Sequence, residues 1–203
     1  MDTRTTTAHD LARRSLLLMQ RWDDSEAAAI IHPDAANDEA VSEPPAARGH
    51  GPAAFKATYD WLHAAFEGLR WDVQDLVAEG DLVVARTVMC GRQVAPFVVY
   101  GPDGRVAQVF ASNGRSFAAS QTHWYRLAEG RIIGHAANRD DLGQARQLGW
   151  VPPSPGVPGP LGSGQAAPAS RHRLSAPRAA VRHAAAAWSS RRRWRGPCHR
   201  PRP

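Results

Sequence analysis

Residues 69–93, LRWDVQDLVAEGDLVVARTVMCGRQ, alternate Trp71, Val73, Asp75 and Val77 before Glu79-Gly80-Asp81, and Val83, Ala85, Thr87 and Met89 after it. A period of two on both sides of a glycine-containing turn is the pattern of a β-hairpin. Two more turn signals follow. GPDGR occupies 101–105, and Glu129-Gly130 joins RSFAASQTHWYRLA to RIIGHAAN. This half of the chain is therefore committed to antiparallel hairpins.

Ahead of Gly68 the period is helical. Ala8, Leu11, Leu18 and Trp22 predict a first helix, with Thr7 and Asp10 as a weak capping pair, and SEAAAII predicts a short second one. The following HPDAANDEAVSEPPAARGHGP, rich in Pro, Asp and Asn, reads as a long surface loop. Gly51-Pro52 opens a third helix, on which Phe55, Tyr59, Leu62 and Phe66 share one buried face. Three helices, a run of hairpins and a closing helix make an α+β domain, its helices packed on one face of a bent sheet. Tyr59, Trp61, Phe66, Trp71, Phe110 and Trp124 are expected to be core first.

The net charge of +6 at pH 7 conceals two unlike parts. Residues 151–203 hold ten arginines, no lysine and no acidic residue, whereas 1–150 carry 15 basic and 19 acidic side chains. The segment 151–203 also holds most of the prolines, and its lack of aliphatic periodicity predicts a disordered Pro/Ala/Arg-rich tail behind a 1–150 domain. Arg191 to Arg195 around Trp194 suggest nucleic-acid contact; the composition favours a solvated extension instead. Cys90 and Cys198 form neither a disulfide framework nor a zinc spacing, and no metal site is expected. No signal core and no run near the roughly 20 apolar residues of a membrane span occur, so a cytoplasmic protein is expected.

The strand ending at IIGHAANRDD crowds five polar groups into the seven residues 135–141. Alternation from His135 sends Ala137 and Arg139 to its side and Asn138 and Asp140 to the other; a bulge would exchange them. Asp141 reads as the cap of the helix LGQARQLG, while Asp140 is open between helix entry, partner of Arg139 and pocket acid. His123 and His135, on facing strands, titrate near neutral pH when unperturbed. His50 and His63 read as surface residues.

The order of GPAAFKATYDWLHAAF, VAEGDLVVAR and THWYRLAEGRIIGHAANRDDLGQARQLG resembles the SnoaL-like polyketide cyclases, or ester cyclases, of the nuclear transport factor 2-like superfamily, over about residues 8–150. The resemblance implies a cone of curved antiparallel sheet closed by helices around an apolar cavity. It also implies intramolecular aldol ring closure on a polyketide ester by an acid/base carboxylate, with no cofactor. It places Gln121 and His123 on one face of the penultimate strand, and His32 and Asn37 over the cavity mouth, where HPD also reads as a turn. On the last strand the cyclase pattern is His-Trp-Asp. Here it is His135-Ala136-Ala137, so the carboxylate is missing, and the segment looks more like the hydroxylase-type branch.

The candidate catalytic residues are thus His123, His135, Arg139 and Asp140, the histidines for proton transfer and the Arg139/Asp140 pair for developing negative charge. Gln121, Trp61, Phe110 and Asn138 are the candidates for substrate binding. The expected partner is an aromatic or polyketide-like small molecule, bound by a homo-oligomer without membrane or nucleic acid. A non-catalytic binding or dimerisation module of the same fold is the alternative.

Overall fold

The computed structural model describes residues 3–151. Helix α1, Thr3–Gln20, precedes α2, Asp24–Ile30, whose N-terminus is capped by Asp23 accepting from the Glu26 amide at 2.8 Å. Strand β1, Ile31–Asn37, leads through two 3₁₀ turns, Asp38–Ser42 and Pro45–Arg48, into α3, Gly51–Ala65. Then come β2, Phe66–Glu79; β3, Leu82–Gln93; β4, Phe97–Tyr100; β5, Val106–Phe110; β6, Ser116–Ala128; β7, Arg131–Arg139; and α4, Asp141–Leu148. The five-stranded sheet has the order β1-β7-β6-β3-β2, and β4 with β5 forms a separate ribbon around the GPDGR turn.

The α+β class stands. α1 buries Ala8, Ala12 and Leu16 in one core with Trp71, Val83, Ala85, Met89 and Tyr125 from the sheet. A second core joins Leu11 and Leu18 to Ile30 and Ile31, and to Phe55 of α3. Each fully buried Leu, Ile or Phe contributes about 1.5–3 kcal/mol by leaving water, so the two cores clamp α1 between sheet and α3. The pairing of β2 with β3 shifts register between Glu67 and Arg70 and between Val73 and Asp75, irregularities of the kind that add local twist to a sheet. Among the described residues no helix is long and apolar enough to cross a membrane.

Several local expectations need correction. Ile31–Asn37, read as part of a loop, is a strand, and it pairs parallel to β7, so the sheet is not wholly antiparallel. Its proline hid it; Pro33 is tolerated because β1 is an edge strand. Phe66 follows the helical face of α3 but begins β2, where its ring meets Phe97 at 5.1 Å and Phe117 at 5.3 Å. Trp124 is not core: it is 41% exposed on the outer face of the sheet. The expected boundary after residue 150 falls at the very end of the described residues, and the basic tail beyond Val151 lies outside them.

Gly51 fixes how α3 approaches β1. It has φ +70°, and a Cβ there would lie 2.4 Å from the Pro33 carbonyl oxygen. Gly80, at φ +60°, has open space around the same position. Non-glycine residues at such angles cost about 1–3 kcal/mol, so Gly80→Ala should lower the melting temperature by roughly 3–10 °C. Gly51→Ala should lower it further, because backbone must move as well; equal thermal shifts for the two variants would contradict the close approach.

Candidate active site

The pairing of β6 with β7 sets Gln121 opposite Arg139, His123 opposite Ala137 and Tyr125 opposite His135. Residues two apart share a face of a strand, so all six face the helices and line one cavity with Asn37, Glu39, Glu43, Thr58, Trp71 and Met89. That inner cavity is about 50 Å³, room for roughly three or four waters. It adjoins an outer cleft of about 340 Å³ that shares Glu39, Glu43, Leu62, Met89, Gln121 and Arg139. Trp61, Phe97, Phe110 and Trp150 wall the cleft, with Phe110 stacked on Trp150 at 4.3 Å. Trp61 is held by its indole N–H donating to the Val98 carbonyl at 2.7 Å.

A chain of polar contacts runs through the inner cavity. Trp71 Nε1 donates to Gln121 Oε1 at 2.9 Å, and His123 Nε2 lies 2.9 Å from the same oxygen. His123 Nδ1 is 3.0 Å from His135 Nε2, and His135 Nδ1 is 2.9 Å from Asn37 Oδ1. Burial drives both histidines toward the neutral form, with His135 pushed down to about 3 and His123 well below its ordinary value; the Arg139 charge adds to both shifts. Burial likewise raises the Tyr125 phenol.

Two carboxylates, one in the first 3₁₀ turn and one just after it, enter the cavity without having been singled out in the sequence. Glu39 accepts from the Ala137 amide at 2.8 Å through Oε1 and pairs with the Arg139 guanidinium through Oε2. Glu43 is 2% exposed and accepts from Thr58 Oγ1 at 2.5 Å. Burial raises its pKa, opposed by the Thr58 hydrogen bond and the Arg139 charge. No sequence signal marks these two, because the segment reads as loop. Tyr125 was legible, since it continues the alternation from Gln121 and His123.

The structure does not bring every candidate into the cavity. Asn138 is exposed on the opposite face of β7, where it accepts from Trp124 Nε1 at 3.2 Å. Asp140 is exposed too and caps α4, accepting from the Gly143 amide at 2.9 Å. Regular alternation accounts for both positions, and Arg139 takes its carboxylate from Glu39 instead. The capping residue is thus Asp140, while Asp141 is the first residue of α4 and lines the outer cleft. Asn37 belongs to the cavity rather than to a simple turn. Among the described residues no three His, Cys, Asp or Glu side chains are grouped to hold a metal ion.

The shifts of His135 and Glu43 act on stability in opposite senses. A histidine depressed in the folded state is protonated first in the unfolded chain, so its contribution is lost as pH falls below about 6.5. A carboxyl raised in the folded state binds its proton first there, so stability declines as pH rises above about 4.5. Between pH 5 and 6.5, His135→Gln should therefore flatten the acid-side fall of the melting temperature, and Glu43→Gln should steepen it. Thermal melts of the three proteins across that range check both signs.

Comparison with known proteins agrees with this geometry. The family model described as SnoaL-like polyketide cyclase matches residues 9–148. The chain is 31% identical over 151 residues to the aklanonic acid methyl ester cyclase DnrD of Streptomyces peucetius, covering 74% of this chain and 96% of that protein. It is 32% identical over 134 residues to the nogalonic acid methyl ester cyclase of Streptomyces nogalater, covering 64% and 86%. In fold it is similar to TsrD from Streptomyces laurentii, with a TM-score of 0.59 at 24% identity over 74% of this chain and 99% of that one. AclR of Streptomyces galilaeus, a proposed hydroxylase, gives 0.54 at 18% identity over 75% and 87%. With helices and sheet closing on a cavity lined by Gln121, His123 and His135, and with the family pattern running through nearly all the described residues, the chain belongs to the SnoaL-like polyketide cyclase family.

Proposed function

We propose that this protein closes a ring on a polyketide-type ester, of the class represented by aklanonic acid methyl ester, by acid/base chemistry in the inner cavity. One observation carries the reading: a continuous chain of hydrogen-bonded side chains, Gln121, His123, His135 and Asn37, lines the inner cavity beside an aromatic cleft. The 50 Å³ inner cavity admits the reacting end of a ligand, and the flat rings of a conjugated substrate match the Trp61, Phe110 and Trp150 walls of the cleft. Arg139 lines both compartments, and its planar fork suits an enolate or phenolate oxygen. Glu39 holds that fork in place.

The absence of a carboxylate at Ala137 favours a second reading, in which the cavity binds the same class of molecule without turnover. Mass spectrometry after incubation with aklanonic acid methyl ester separates the cases. Aldol closure gives an isomer of unchanged mass, hydroxylation adds one oxygen, and binding alone returns the substrate. Isomerisation is the expected result; unchanged substrate that nevertheless co-elutes with the protein supports the second reading.

If Arg139 stabilises charge that develops in the transition state, Arg139→Lys keeps the charge but loses the bidentate geometry. Its kcat should fall about 10²-fold or more, as for the loss of one donor to an oxyanion, with KM changed much less. A raised KM with kcat unchanged would mark Arg139 as a binding group only.

A further inference from the structure

We infer that His123 and His135 act as a single base, built to hold one extra proton between them, and that Asn37 and Gln121 set that capacity. The inference rests on the ring-closure reading above, and a count of hydrogen-bond protons supplies it. Gln121 Oε1 accepts from Trp71 Nε1, and an indole nitrogen can only donate, so this oxygen faces His123 Nε2 as an acceptor. Asn37 Oδ1 accepts from the Glu39 backbone amide at 3.3 Å, which also can only donate, so it faces His135 Nδ1 as an acceptor. The two imidazoles therefore stand between two fixed acceptors, with a third contact of 3.0 Å between His123 Nδ1 and His135 Nε2.

Three contacts need three protons, whereas two neutral imidazoles carry two. With both outer contacts made, the inner nitrogens face each other lone pair to lone pair. One added proton placed between them completes every hydrogen bond. Burial and the Arg139 charge discourage uptake of that proton from solvent. The Glu39 carboxylate acts in the opposite sense on His123. Around the pair, β7 contributes Arg139, the first 3₁₀ turn Glu39 and the residue after it Glu43, β6 Tyr125, α1 Ser15 and α3 Phe55 and Thr58. In this setting the proton is accepted best when a negative charge forms beside it, which is what a carbon acid supplies.

The step balances without another reactant. The C–H bond of a carbon flanked by carbonyl groups breaks, its proton moves to the inner nitrogens, and its electron pair remains as an enolate. The enolate carbon then forms the new C–C bond to a ketone carbon, and the resulting alkoxide recovers the proton from the histidine pair. Ala137, directly opposite His123, has a methyl group where the cyclase pattern has its acid/base carboxylate, so the base function passes to the pair.

Two measurements test this, and they fail separately. Nitrogen-15 NMR of the histidine rings in the wild-type protein, titrated downward from pH 8, should show the two rings sharing uptake of a single proton before any unfolding. Independent titration of these two rings overturns the inference whatever the activity. Replacing Asn37 removes one hydrogen bond to the charged form. Asn37→Ala should therefore move that uptake, and the acid limb of kcat/KM for aklanonic acid methyl ester, down by about one to two pH units. Asn37→Asp should move both upward. An unmoved limb in a folded Asn37→Ala protein overturns the role of Asn37, whereas shared uptake without any turnover preserves the proton count and removes the ring-closure reading instead.

Discussion

The site depends on the antiparallel pairing of β6 with β7. From Gln121 to Arg126 the register is unbroken, and the first irregularity comes only between Arg126 and Leu127, beyond the polar chain. A slip of one residue would send every side chain to the other face of its strand, replacing His123 by Trp124 and Arg139 by Asn138. The opposite edge of β6 is held by β3 through regular pairing from Leu82 to Arg92. The histidines are thus positioned by the centre of the sheet, while Asn37, which touches His135, and Glu39, which pairs with Arg139, arrive on or next to the edge strand β1.

That edge explains why the charge balance is spread over distant parts of the chain. Arg139 is partly buried, and an isolated buried charge is costly, so it needs a carboxylate. Its chain neighbours cannot supply one: Asp140 turns outward to cap α4. Glu39 does so from 100 positions away in sequence, and its other oxygen takes the Ala137 amide. Parallel pairing of β1 with β7, Asn37 against His135, is what brings the first 3₁₀ turn over the strand end. The Glu43 carboxyl, raised by burial, and the two histidines, lowered by it, move toward their neutral forms. Most of the cavity's charge then resides in the Arg139–Glu39 pair.

What was legible in the sequence was whatever regular periodicity encodes. The hairpins, the three N-terminal helices and the shared face of Gln121 and His123, or of His135 and Arg139, all follow from periods of 2 and 3.6. The resemblance to the cyclases rested on the same segments. What was not legible lies where the chain has no period. Pro33 and Asp34 disguised β1, and without β1 there was no reason to bring Asn37, Glu39 or Glu43 near His135. Asn138 was assigned to the pocket because of its chemistry, although the alternation already pointed it away. Trp61 and Phe110 were chosen as aromatic candidates, and they wall the outer cleft rather than the polar end.

The same electrostatics bear on restoring the missing carboxylate. An aspartate side chain at position 137 would face the cavity opposite His123, on a residue whose own backbone amide donates to Glu39. Two carboxylates in so enclosed a site do not both ionise readily; one of them is raised, or the histidine pair takes a proton to balance the charge. Either response gives the folded state one more proton than the unfolded chain near neutral pH. Stability gained in this way is present at low pH and lost as pH rises. Ala137→Asp should therefore fold, with a melting-temperature deficit relative to the wild type that is small at pH 5.5 and larger at pH 8. A deficit independent of pH would mean that the side chain at 137 does not share the cavity with Glu39 and His123, and the geometry proposed for the proton transfer would have to be abandoned.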